Sequence, residues 1–404
     1  MRTLYGVSPW IHGVAASKRP SWRPLRGERT AQVVIVGGGL TGCATAYACA
    51  AAGLDVVLLE RERVGQGGAG RGEGLLLSDP GPDFLDISRA HGVRLARHAF
   101  NLWRRGALDA AALLRRLRVP CGLAARRTLT IADVQAEPAL ARERKARSAA
   151  GAPSAWLTGR PAATAAGRSV AAAERTGGGF AFDPYRACLG LASAAARRGA
   201  AIFEASHARR IRATRQGVEV ATPAGVVRAG TVVVATGTAT AEFSALRRHF
   251  RRREHYVVMT EPVGPEIRRR LFAADTVLAD RHDPPHRVYR TADHRLVVSG
   301  AGQAETPART REAVLVQRTG QLMYELLTMY PDISGLAPAC GWDLPHGVTR
   351  DGLMYAGPHR NYPGHLFALG SEASATGAFV AARLVLRALQ GRPDKADSAF
   401  AFTR

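Results

Sequence analysis

Gly37-x-Gly39-x-x-Gly42, followed 18 residues later by Glu60, is the set of residues whose types and spacing most directly suggest chemistry. Gly37 permits a tight turn, Gly39 lets the backbone approach a pyrophosphate, and Gly42 lets a helix pack closely on a sheet. A carboxylate at Glu60 is then placed to accept both hydroxyls of a ribose. The elements that must position these residues can be read around them. Residues 33–36 are a β-branched run of the kind a parallel sheet buries on both faces. Residues 41–52 are alanine-rich and predict a helix whose free N–H groups and positive dipole end face the phosphates. Gly53 stands at its C′ position, and residues 56–59 predict a second strand that ends in Glu60. Together these features predict binding of FAD or NAD. Residues 31–54 carry no charge, yet the glycine turn argues against a membrane span.

Three later stretches repeat the theme of backbone laid open to a ligand. Residues 64–77 form a second glycine cluster, including Arg71 and Gly72, that lets the chain lie flat against a large ring system. Residues 231–237 predict a buried strand ending in Ala235, Thr236 and Gly237, small enough for something planar to approach its carboxyl end. Residues 366–369 predict a strand that leads through the loop 370–377 into a helix over 378–389. This anion-facing arrangement suits the pyrimidine end of a flavin. Asp183 and Pro184 mark the start of a helix running to about residue 198, and residues 308–330 suit another.

Composition narrows the function classes. The chain has 404 residues and a net charge of +23, and lysine occurs only at Lys18, Lys145 and Lys395. The arginines are scattered, with no zinc-finger, RNP-like or basic-region pattern, so no specific nucleic-acid partner is expected. Five cysteines without a CxxC suggest neither a zinc site nor a disulfide framework. His282 and His286 are separated by two prolines and lack a helical register, so no metal is expected there. Without a compact apolar leader or a sorting signal, cytoplasmic localisation is the expectation.

The fingerprint at Gly37–Gly42, the Ala-Thr-Gly at 235–237, and the Asp-Gly-x-x-Tyr-x-Gly-Pro from Asp351 with the later Leu369-Gly370 resemble the FAD-dependent oxidoreductases of the D-amino-acid oxidase superfamily. Within it the chain is similar to the branch of glycine oxidase, sarcosine oxidase and gamma-glutamylputrescine oxidase. The stretch Tyr-Val-Val-Met-Thr-Glu-Pro from Tyr256, and Tyr289-Arg290 ahead of residues 296–302, fit the last of these best. The resemblance spans residues 28–404. It implies an α/β fold with a Rossmann-type FAD-binding lobe built from discontinuous segments and a β-rich substrate-binding lobe. The implied division is an extended leader over 1–30, FAD-lobe segments at 31–100, 171–248 and 339–404, a mostly helical substrate-lobe part at 101–170, and a β-rich part at 249–338.

For FAD the resemblance implies Gly37, Gly39, Leu40, Thr41 and Gly42 at the pyrophosphate, and Glu60 and Arg61 at the adenosine ribose. Ala208 and Gly237 would line the adenine side, Arg71 and Gly72 would pass near the flavin ring, Gly370, Ser371 and Thr376 would lie toward its pyrimidine edge, and Ala235, Thr236 and Asp351 are further expected FAD contacts. The implied chemistry is hydride transfer from an amine-bearing carbon to flavin N5, giving an imine that water hydrolyses. The expected substrate is a small amine or amino acid, with O2, a quinone or a carrier protein as acceptor; the oligomeric state is left open. Expected substrate contacts are Tyr256, Tyr289, Arg290 and His346. Two departures stand out. His346 occupies the place of a carboxylate-anchoring arginine and cannot make its bidentate fork, which favours an amine over an amino acid. The loop 371–374 is poor in glycine and carries Glu372, which suggests a second reading: a flavin-binding protein with an interaction role and impaired turnover.

Overall fold

A computed structural model describes residues 3–282, 285–371 and 374–404. Among these residues the chain forms two sheets. The first has the strand order Tyr355–His359, Tyr362–Leu369, Gly225–Gly237, Gly27–Val36, Val56–Leu59, Ala201–Phe203, and Gly217–Ala221 joins it through a hairpin. The strands from Tyr362–Leu369 to Ala201–Phe203 pair in parallel, with Val33 opposite both Val56 and Thr231. Side chains alternate across a strand, so Val33 and Ile35 meet one core and Val34 and Val36 the other. On the Val33 face lie three helices, Leu40–Ala51 packing against both Pro184–Arg197 and Ala375–Leu389 through alanines small enough to let them approach closely. Asp183 caps the second of these, accepting the Arg186 N–H at 2.9 Å.

The second sheet runs Leu4–Tyr5, Pro338–Val348, Arg251–Pro262, Arg295–Ala304, Arg287–Arg290, Thr276–Ala279, Ala124–Ala132, Ala172–Ala181, Leu75–Leu76. The helix Arg311–Met329 covers one face, where Leu322 and Leu326 pack with Val258 and Val298. On the other, Val257, Val297, Tyr289 and Trp342 pack with Leu75.

Several segments depart from the division expected from sequence. Where an extended leader over 1–30 is expected, the described residues 3–30 are ordered against the body: Leu4–Tyr5 pairs with Pro338–Val348, Pro9–His12 is a helical turn capped by Ser8, and Gly27 opens the central strand. Trp10 meets Trp342 edge to face at 6.4 Å and donates to the Gly72 carbonyl at 2.9 Å. Within 101–170, Ala124–Ala132 and Ala155–Thr158 are strands, while Val93–Arg116 packs on Ala375–Leu389 of the first lobe. Ala172–Ala181 and Pro338–Val348 pair in the second sheet and not the first. The cause is partner choice: these alanine-, arginine- and glycine-rich strands take their conformation from distant neighbours in the sheet more than from local propensity. Among the described residues no helix is long and apolar enough to cross a membrane.

Candidate active site

The carboxyl ends of the parallel strands open into a cavity of about 650 Å³. The glycine turn forms its floor. Gly37 has φ +111°, and a methyl group there would lie 2.4 Å from the Ala235 carbonyl oxygen. Gly42 is tighter still, since its added methyl would come within 1.8 Å of the Gly37 oxygen; the residue lies under the turn and does not line the cavity. Gly39, the N-cap of the helix Leu40–Ala51, is the opposite case: an added methyl meets nothing within 4 Å, because the position faces open space. A side chain there would enter the space a pyrophosphate needs, with Leu40 and Thr41 at the helix start beside it.

Glu60 lines the cavity at the end of its strand. One carboxylate oxygen accepts the Gly38 N–H at 2.7 Å and the other accepts the Glu62 N–H at 2.8 Å. Burial pushes its pKa up, against the opposing pull of those two N–H groups. The carboxylate is thus held rigidly, with lone pairs left over for ribose hydroxyls. Around it, Arg61, His207, Ala208 and Arg209 line the same end, and Ala235, Thr236 and Gly237 close the side. An open glycine position, a locked carboxylate and a helix N-terminus fit the adenine dinucleotide expected from sequence.

The other end is walled by Gly72 to Leu75, Leu77, Leu344, Ser371 and Ser374. Ser371 contacts the Thr41 hydroxyl at 3.0 Å, tying the late loop to the glycine turn. Gly370, with φ +81°, donates its N–H to the Gly237 carbonyl at 2.7 Å and joins two strand ends without lining the cavity. Thr376 is likewise off the cavity, donating to the Leu77 carbonyl at 2.8 Å. Glu372 lies outside the described residues.

Two residues expected to contact the cofactor are engaged elsewhere. Arg71 pairs with Asp343 at 2.7 Å, and its carbonyl accepts the Trp342 indole N–H at 2.9 Å. Asp351 is held by Arg404 through both oxygens, at 2.7 and 3.1 Å, and by His91 at 2.7 Å. Burial would raise its pKa, but Arg404 and His91 outweigh that and lower it.

None of the four expected substrate contacts lines the cavity. His346 is buried and stacks on His255 at 4.8 Å, its Nδ1 3.1 Å from the Leu344 carbonyl. Burial pushes the pKa of both histidines down. The Tyr256 hydroxyl donates to Glu254 at 2.8 Å beneath the second sheet. Tyr289 donates to the backbone carbonyl of Glu73 at 2.8 Å and so stands behind the cavity wall. Arg290 opens into a separate basic pocket. The missed residue is Glu73, which lines the cavity, is mostly buried and is approached by Arg287 Nη1 at 3.3 Å. An acid inside the glycine cluster 64–77 was the available signal.

His282 and His286 do come together despite the prolines, because both Nδ1 atoms meet one oxygen of Asp280, at 2.7 and 2.6 Å. These are hydrogen-bond separations. His286 Nε2 is also 2.9 Å from Glu325.

Residues 32–388 match the family described as FAD dependent oxidoreductase. Over 403 residues the chain is 25% identical to gamma-glutamylputrescine oxidoreductase of Escherichia coli strain K12, covering 96% of this chain and 90% of that protein. The solved glycine oxidase from Geobacillus kaustophilus aligns with a TM-score of 0.75 at 22% identity, covering 93% of this chain and 99% of that one. The L-amino acid deaminase from Proteus vulgaris aligns with a TM-score of 0.77 at 15% identity, covering 96% and 100%. These two likenesses carry the fold; the match over residues 32–388 carries the family. The chain belongs to the FAD dependent oxidoreductase family and is an enzyme with FAD as its cofactor.

Proposed function

We propose that this enzyme oxidises the C–N bond of a small amine, the nitrogen being received by Glu73. The observation that carries this reading is the charge pattern of the cavity. Its arginines, Arg61, Arg63 and Arg209, line the Glu60 end, and among the described residues Glu73 is the one charged group lining the Gly72-to-Leu77 end. A carboxylate suits a cationic nitrogen and repels a substrate carboxylate. His346 supports the same choice, being buried, stacked on His255 and pushed toward its neutral form by that burial.

Glu73 in this reading orients the ammonium group and accepts its proton, leaving the free amine that gives up hydride. Arg287 and Tyr289 fix the position of Glu73 from behind, one at the carboxylate and one at the backbone carbonyl. Leu75, Leu77 and Leu344 line the same end and exclude water from the reacting carbon. FAD, when bound, supplies the acceptor for the hydride and a route for electrons onward. That gamma-glutamylputrescine oxidoreductase is named for an amine-bearing substrate is consistent with the reading.

The test is the visible spectrum of the purified protein before and after anaerobic addition of a pool of mono- and diamines, then of a pool of α-amino acids. Bleaching of the flavin band by the amines is the expected result. Bleaching by the amino acids alone would reverse the substrate assignment. Readmitting air while measuring peroxide then separates oxygen from a quinone or carrier protein as acceptor.

A further inference from the structure

A second concavity, of about 600 Å³, lies where the start of the strand Ala124–Ala132 meets the helix Pro265–Arg270 and the turn after Arg287–Arg290. Three half-buried arginines line it: Arg126, Arg268 and Arg290. Its other charges are already matched nearby, with Arg269 paired to Glu266, and Asp275 paired to Arg127 at 2.8 Å. For Arg126, Arg268 and Arg290 no ion pair is found among the described residues.

Backbone carbonyls hold the cluster together. Arg126 donates to the Ala125 carbonyl at 3.0 Å and the Arg290 carbonyl at 3.1 Å, and Arg290 donates to the Arg268 carbonyl at 3.3 Å. Each guanidinium carries five N–H donors, so these bonds leave several unused. Arg126 Nε is sealed from solvent without any partner. Burial pulls the pKa of Arg290 down, and the neighbouring charges of Arg268 and Arg126 pull it further; burial acts the same way on Arg126, against the smaller opposing pulls of Tyr289 and of Asp275, which is itself paired to Arg127. Three cations gathered in one concavity repel one another, and an anion between them relieves that cost.

The remaining wall describes the body of the ligand. Ala124, Pro265, Ala274 and Ala292 are apolar and small, and the volume exceeds what a bare oxyanion fills. Guanidinium forks match phosphate oxygens in geometry as well as in charge. We propose that this pocket, separate from the FAD cavity, binds a small phosphomonoester, with Arg126, Arg268 and Arg290 on the phosphate and the apolar wall on its organic part.

The test uses the full chain saturated with FAD, so that the glycine turn is already occupied. Phenyl phosphate, inorganic phosphate and benzyl alcohol are titrated by calorimetry at matched ionic strength with chloride as counter-ion. Saturable 1:1 binding of phenyl phosphate is expected, about tenfold or more tighter than inorganic phosphate and with no response to benzyl alcohol. Arg290→Gln and Arg268→Gln should each weaken it at least about tenfold while flavin content and circular dichroism stay as in the parent. Arg268 lies on a short surface helix, so its variant remains informative if Arg290→Gln fails to fold. Absence of saturable heat in the parent protein, or unchanged affinity in a folded variant, would overturn the proposal. Equal affinity for inorganic phosphate would overturn the ester assignment.

Discussion

The Tyr289 hydroxyl donates to the backbone carbonyl of Glu73 at 2.8 Å, so a strand of the second sheet fixes the wall of a cavity built on the first. Tyr289→Phe leaves a buried carbonyl without its donor, which costs about 1–3 kcal/mol. The expected outcome is a lower Tm, a raised KM for the amine and unchanged flavin content. Glu73→Gln should raise KM by roughly 10- to 100-fold, the worth of one charge-assisted hydrogen bond, lower kcat through loss of the proton acceptor, and lower Tm because the mostly buried Arg287 loses its carboxylate partner. Steady-state kinetics beside a melting curve for both variants would separate positioning from recognition.

Gly42 and Gly39 sit three residues apart in one turn and should answer differently to the same methyl group. Gly42→Ala drives a methyl into the Gly37 carbonyl oxygen and should prevent the turn from forming, giving insoluble or colourless protein. Gly39→Ala meets no protein atom, so the apoprotein should keep its stability to within about 1 kcal/mol, yet lose FAD on gel filtration. Absorbance ratios and apoprotein melts on the pair check this.

Asp351 and Arg404 form a two-point ion pair, with the Arg404 side chain only 4% exposed. Removing one partner of such a pair costs about 3–5 kcal/mol. Asp351→Ala should therefore lower stability strongly while the protein that stays folded keeps its FAD. Loss of FAD at unchanged stability would return Asp351 to the cofactor site.

Asp183 caps the helix Pro184–Arg197, and burial raises its pKa from 3.8 to about 6 against the pull of Arg186. For an acid raised on folding, stability is fully present below the unfolded value and is lost as pH rises through the folded one. The loss should fall between about pH 4 and pH 6 and amount to roughly 3 kcal/mol. Asp183→Asn keeps a capping oxygen without the charge, so it should flatten that part of the stability profile and exceed the parent at pH 7. Urea melts across this range test the sign.

What could be read from sequence was what is decided locally. The turn at Gly37–Gly42 depends on contacts among neighbours and one adjacent strand, and the cap at Asp183 on a residue three positions away. What could not be read depends on pairing across the chain. Glu73 meets Arg287, 214 residues on, and Leu4–Tyr5 pairs with Pro338–Val348. Tyr289 and Arg290 are adjacent on one strand and so point to opposite faces. Their proximity in sequence therefore could not put both at one substrate, and here one braces the cavity wall while the other turns to the arginine pocket. His346 illustrates a third limit: its departure from the family pattern was visible, but its burial against His255 arises from strand pairing.

The parallel sheet has a consequence for how the protein is made. Gly27–Val36 is an early strand, yet its neighbour Gly225–Gly237 arrives some two hundred residues later, and Tyr362–Leu369 later again. A ribosome therefore releases the glycine turn long before the strands that close around it exist, and contacts this distant in sequence form slowly. Until residue 237 emerges, the apolar run at 33–36 lacks the strand that flanks it on one side, so yield in a heterologous host should improve with slower translation, lower temperature and added chaperone.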